Sequence, residues 1–191
     1  MAQFARPDAD TSAGSWSASS GSSLYAMLDE TSASDSDYIT VNDYGSGSAC
    51  TLRLSDVADP SDHTATSVVF RAWTDSYYES VTININLRQG SSSIKSQDFS
   101  ASTSYASHTM TLSTSEAASI SDYTELNVII TATDGMWMGS EARISHLYFT
   151  CPELGPLEIT PAHASAAATA VFNQLTINPV SASAASSVTS P

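Results

Sequence analysis

The stretch at residues 79–90, Glu-Ser-Val-Thr-Ile-Asn-Ile-Asn-Leu-Arg-Gln-Gly, constrains this chain more than any other. Val81, Ile83, Ile85 and Leu87 alternate with Thr82, Asn84, Asn86 and Arg88. A period of two puts four branched apolar side chains on one face of a strand and polar ones on the other. The segment is therefore a strand with one face in a core. The same pattern predicts strands at 38–41, 50–57, 67–74, 79–88, 92–99, 109–112, 125–132 and 142–151. Eight short strands with turns rich in Ser, Gly and Asp, and no long helical segment between them, predict an all-β antiparallel sandwich or jelly roll. Residues 115–120 have room for one helical turn at most.

With 191 residues the chain suffices for one ordinary domain and leaves a remainder. The expected plan is an N-terminal arm at 1–15, a sandwich at 16–152 and a C-terminal arm at 153–191. The first 15 residues are small and polar and lack periodicity. Trp16, Leu24, Tyr25, Met27 and Leu28 then form an apolar cluster expected to cover one end of the sandwich. After Cys151 the chain holds no Lys or Arg and is mostly Ala, Ser, Thr and Pro. Here Leu157-x-Ile159-x-Pro161-x-x-Ala164-Ser165-Ala166-Ala167 recurs 18 residues later as Leu175-x-Ile177-x-Pro179-x-x-Ala182-Ser183-Ala184-Ala185. Each Leu-x-Ile-x-Pro ribbon is too short to bury anything alone, so it is expected to add as a strand to a neighbouring sheet.

Six Lys and Arg against twenty Asp and Glu give a formal net charge of -14, which repels phosphate backbones and anionic lipid surfaces. Nucleic-acid and membrane partners are not expected. The start of the chain lacks the basic and apolar regions of a signal peptide, so synthesis in a cytoplasm is expected. Cys50 shares strand parity with Leu52 and Leu54, and Cys151 with Leu147 and Phe149, which predicts two buried free thiols. A disulfide requires their strands to be neighbours. The loop at 29–37 carries Asp29, Glu30, Asp35 and Asp37 but fits no calcium motif with fixed positions, so it reads as solvated, with no metal or other cofactor expected.

No nucleophile elbow, zinc-protease motif or phosphate-cradling loop is present, and His63, His108, His146 and His163 are scattered. The chain is therefore not expected to be an enzyme. Its residues with binding character are aromatic. Trp73, Tyr77 and Tyr78 crowd one turn and suit stacking on sugar rings, while Met136, Trp137 and Met138 suit a protein contact.

The run Arg6-Pro7-x-x-Asp10-x-x-x-Gly14-x-Trp16-x-x-x-x-Gly21-x-x-Leu24-Tyr25-x-x-Leu28-Asp29-Glu30, continuing to Asp35-x-Asp37-Tyr38-Ile39, resembles the opening of a β-sandwich module of tailed-bacteriophage structural proteins. Gly139-x-x-Ala142-Arg143-Ile144-x-x-Leu147-Tyr148-Phe149-x-x-Pro152 is similar to that module's last strand. The tail repeat also resembles repeats of phage virion proteins. This resemblance implies a virion component, a capsid decoration (cement) protein or an appendage. Its partners would be other virion proteins, above all the major capsid protein, held by a homo-oligomer such as a trimer. Leu157, Ile159, Pro161, Leu175, Ile177 and Pro179, with Met136, Trp137 and Met138, would then make the partner contacts. The alternative is a carbohydrate-binding module or adhesin using Trp73, Tyr77 and Tyr78.

Overall fold

The computed structural model describes residues 1–42, 48–60, 62–75, 81–133 and 140–153. Within them the chain forms eleven strands: β1 (Ala2–Ala5), β2 (Pro7–Ser12), β3 (Ser17–Ala18), β4 (Ile39–Asn42), β5 (Ser48–Leu54), β6 (Ser67–Thr74), β7 (Thr82–Gln89), β8 (Ser92–Ser100), β9 (Ala106–Thr111), β10 (Leu126–Thr133) and β11 (Glu141–Pro152). A 3-10 turn at Tyr25–Met27 and a one-turn helix α1 at Thr114–Ala117 complete the elements. All eight strands expected from alternation are present, with ends shifted by a few residues.

The strands form two antiparallel sheets packed as a sandwich. Sheet A runs β3-β4-β11-β6-β9, with β1 also on β11; sheet B runs β2-β5-β10-β7-β8. The long β11 is the spine of sheet A. Along one edge it pairs with β6 from Ala142 to Thr150, while β4 takes Glu141 to Ile144 and β1 takes Phe149 to Pro152. Strands β4 and β1 therefore lie end to end along its other edge. In sheet B, β10 has the central place, with Val128 opposite both Leu52 and Leu87 and Ile130 opposite both Cys50 and Ile85.

The inward faces make one core. Leu52, Leu54, Ile83, Ile85, Leu87, Val128 and Ile130 from sheet B are buried, as are Ile39, Val41, Val68, Phe70, Ala72, Leu147 and Phe149 from sheet A. Alternation at β7 is thus core packing, and removing one such side chain to Ala costs about 2–5 kcal/mol. Of the expected apolar cluster, Trp16, Leu24 and Leu28 are buried in the same core, while Tyr25 and Met27 are half-buried. Cys50 and Cys151 are buried and free, in opposite sheets. Burial pushes the Cys50 thiol up to about 12 and the Cys151 thiol to about 11.

The expected N-terminal arm is not an arm. Strand β1 pairs with β11 and β2 pairs with β5, so the first twelve residues lengthen both sheets of their own molecule. Alternation is no guide there, because Ala5 and Pro7 are the only buried side chains of β1 and β2 and the one large apolar residue, Phe4, is exposed. Strand character comes instead from backbone pairing with a neighbour distant in sequence.

Strand β11 is irregular at His146, whose strand parity equals that of Ile144. The β11–β6 register shifts between Ile144 and His146. A bulge of this kind adds a residue and exchanges the two faces beyond it. Ala142 and Ile144 point inward before it, and Leu147, Phe149 and Cys151 after it. The segment after the 3-10 turn braces the bulge: Leu147 N–H donates to the Leu28 carbonyl, His146 Nε2 lies 3.0 Å from the Glu30 carbonyl, and the Ser145 hydroxyl donates to Asp35.

The C-terminal arm proposed at 153–191 lies outside the described residues beyond Glu153, and with it Leu157, Ile159, Pro161, Leu175, Ile177, Pro179 and His163.

Candidate functional site: two outward faces

Each sheet turns one face out, and the two differ in chemistry. On sheet A, antiparallel register sets Thr40, Arg143 and Trp73 side by side across β4, β11 and β6. Tyr38 and Tyr105 border this row. The Arg143 guanidinium lies 4.3 Å from the Tyr38 ring centre and 4.4 Å from that of Trp73. Tyr105 stacks on Trp73 at 6.1 Å, and Arg71 lies 5.5 Å from the Tyr105 ring. Glu141 grips Arg143 through two hydrogen bonds, which raises the guanidinium's affinity for its proton still further.

Trp73 is thus engaged within its own fold. Its indole N–H donates to the Thr103 carbonyl at 3.0 Å, and its ring has Arg143 and Tyr105 beside it. No indole donor is left for a ligand. Tyr77, Tyr78, Met136, Trp137 and Met138 lie outside the described residues. Asp35, from the acidic loop, spends both oxygens on Arg71 at 2.7 Å each, which holds its carboxyl below the usual range. Among the described residues no three His, Cys, Asp or Glu converge as metal ligands do.

The outward face of sheet B is polar. Register places Thr51, Ile129, Asn86 and Ser96 in one row across β5, β10, β7 and β8. The next row is Arg53, Asn127, Arg88 and Ser93. Alternation requires such residues on β7, since Asn84, Asn86 and Arg88 are the polar half of the repeat that buries Ile83, Ile85 and Leu87. Side-chain hydrogen bonds order the β7–β8 part: Asn84 donates to Asp98 at 2.6 Å, Ser96 to Asn84 at 3.1 Å, and Ser93 to Asn86 at 2.8 Å.

A groove of about 450 Å³ crosses this face, lined by Thr11, Thr51, Arg53, Arg88, Gly90, Thr124, Glu125, Asn127 and Ile129. Among the described residues its lining therefore offers hydroxyl, amide, carboxylate and guanidinium groups with one aliphatic side chain and no aromatic ring. Arg53 is held by both oxygens of Asp8, and Asn127 donates to the Gly90 carbonyl at 3.1 Å. Gly90, at φ 53°, closes the turn between β7 and β8 and brings that carbonyl to the rim. Neighbouring strands stand ~4.8 Å apart, so the sheet fixes the spacing of these groups without moving parts.

Sequence reasoning sought sites among aromatics and missed this groove. Asn84, Asn86 and Arg88 were visible as the polar half of a strand, but nothing in their spacing says that Thr51 and Asn127 stand beside them.

No protein-family model matches the chain, and no curated protein matches it. Among solved structures the chain is similar to a variant of a family 29 carbohydrate-binding module, with a TM-score of 0.44, 11% identity and coverage of 89% of this chain and 99% of the other. It is also similar to a family 28 module described as specific for non-crystalline cellulose, with a TM-score of 0.43, 14% identity and coverage of 71% and 86%. A family 4 module gives a TM-score of 0.41 at 15% identity, covering 71% and 93%. What this chain binds has to be read from its own faces.

Proposed function

We propose that this chain is a non-catalytic carbohydrate-binding domain whose ligand lies along the outward face of sheet B. The groove carries this reading, because it joins a rigid floor to hydroxyl, amide and guanidinium groups in two cross-strand rows. A polyhydroxylated ligand needs many spaced donors and acceptors, and those are what the rows offer. Other polymers suit the face less well. Among the described residues the groove has no aromatic ring on which a base would stack and no large apolar anchor to centre a protein interface. The reading moves the sugar contact from Trp73, whose ring and N–H are engaged, to Thr51, Asn127, Arg53 and Arg88.

Attachment to a phage particle is not favoured by any described residue. Residues 1–12 are used inside the fold rather than as a clamp, and the remaining contacts proposed for it lie beyond the described residues.

Affinity electrophoresis of the full chain through gels containing soluble polysaccharides tests the proposal. Retardation by at least one polymer is expected. Asn127→Ala should weaken it about fivefold, the loss of one hydrogen bond of ~1 kcal/mol, while Trp73→Ala should leave it unchanged. Free migration through every gel would sink the reading.

A further inference from the structure

Arg88 is placed unlike the other cations of this acidic protein. Among the described residues, Arg53 pairs with Asp8, Arg71 with Asp35, Lys95 with Glu116, Arg143 with Glu141, and the Met1 amino group with Glu153. Arg6 has no ion pair but donates to the Glu30 carbonyl and lies over the Phe4 ring. Among the described residues Arg88 has no carboxylate partner. One of its terminal N–H groups goes to the Ser91 carbonyl, and its Nε is shut off from solvent with no acceptor. With no carboxylate beside it the guanidinium charge is uncompensated, and an arriving anion would supply that compensation at the terminal N–H groups rather than at the enclosed Nε.

Its place in the sheet says which oxygen. Arg88 lines the groove in the row Arg53, Asn127, Arg88, Ser93, facing Asn127 across β10 and Ser93 across β8. Arg53 is already neutralised by Asp8, so Arg88 is the guanidinium in the groove whose charge is open to a ligand. A planar guanidinium meets a carboxylate edge on, through two parallel hydrogen bonds where the geometry allows. Glu125 is the one acid among the described residues lining the groove, and its Oε2 stands against the turn at Gly90.

We infer that the groove selects glycans bearing a carboxylate, and that Arg88 is the group that reads it. This rests on the carbohydrate reading and goes one step beyond it, from sugar hydroxyls to uronic acids. The long-range field of a chain at -14 does not gather anionic polymers, so the selection acts at contact and not through steering.

Isothermal titration of the full chain with polygalacturonate, with the same polymer after reduction of its carboxyl groups, and with a neutral glucan decides the matter. The expected result is that reduction lowers affinity roughly ten- to a hundredfold, as for loss of a charge-assisted hydrogen bond. Arg88→Gln should abolish that difference, lowering affinity for the charged polymer at least tenfold more than affinity for the reduced one. Arg88→Lys, which keeps the charge and loses the fork, should restore part of it and decides the question if the Gln variant does not fold. Equal affinity of the unaltered chain for charged and reduced polymers, or a difference that survives in Arg88→Gln, overturns the role of Arg88 and leaves the carbohydrate reading standing. No saturable heat with any of the three overturns the uronic-acid inference, whereas the carbohydrate reading falls only with free migration through every gel.

Discussion

Gly14 and Gly21 both have left-handed backbone, at φ 56° and 66°, yet replacing them has unequal consequences. A Cβ on Gly14 would lie 1.9 Å from the Ala49 carbonyl oxygen, whereas one on Gly21 would meet nothing within 4 Å. Gly21→Ala should therefore cost only the conformational penalty of ~1–2 kcal/mol. Gly14→Ala adds a backbone clash and should cost well over ~2 kcal/mol, as urea midpoints of the two variants will show. Asp10 explains another part of the opening motif, since its two oxygens accept the Leu24 and Tyr25 N–H groups at 2.8 Å each and fix the 3-10 turn. Trp16, whose N–H reaches the Ser48 carbonyl, is buried beside them. The residues that carry the phage resemblance at this end thus shape the fold. In the groove, Glu125→Gln should raise affinity for a carboxylated glycan and leave affinity for a neutral one alone, measured in the same titrations, because it removes the one like charge among the described lining residues.

At the scale of elements, α1 shows how charge supports a short turn. Ser113 and Glu116 form a reciprocal cap, with Glu116 N–H donating to the Ser113 hydroxyl at 3.2 Å and Ser113 N–H to the Glu116 carboxylate at 2.6 Å. The Ser113 backbone hydrogen bond and then Lys95 hold that carboxyl at about 2, against an ordinary 4.5. A depressed carboxylate contributes its stability above the unfolded value and loses it as pH falls through the folded one. The urea midpoint of the native chain should fall between pH 4.5 and pH 2 by more than that of Glu116→Gln. A different lesson comes from β1 and β2. Removing residues 1–12 should lower the melting temperature sharply or abolish folding, because it strips β11 and β5 of paired neighbours. An arm would come off without harm. Period-two alternation revealed most of β4 to β11 because their side chains are sorted by burial, although β8 has no buried side chain. It was silent on β1 and β2, where Pro7 to Ser12 are small or polar and the register shifts twice. The β11 bulge was equally hidden, since the change of inward parity between Ile144 and Leu147 has meaning only once β6 is known to be the neighbour.

For the molecule as a whole, two sheets closed over one core account for the inert thiols and for the rigidity of the outward faces. Neither Cys50 nor Cys151 should react with a thiol reagent in the native state, and both should after denaturation; fast native labelling would mean that the sandwich opens readily. Function was less legible than fold for a topological reason. The groove gathers Thr51, Arg88 and Asn127 from three strands far apart in sequence, and only the strand order of sheet B makes them neighbours. Aromatic residues were conspicuous in the sequence, yet Trp73 stands in a stack completed by Tyr105 and Arg143. The most direct test of the polar face as the working surface is a side-by-side polysaccharide titration of the unaltered chain, Thr51→Ala/Asn127→Ala and Trp73→Ala. Saturable binding that the double variant loses and the tryptophan variant keeps is the predicted result. Binding lost with Trp73 and kept by the double variant would contradict it.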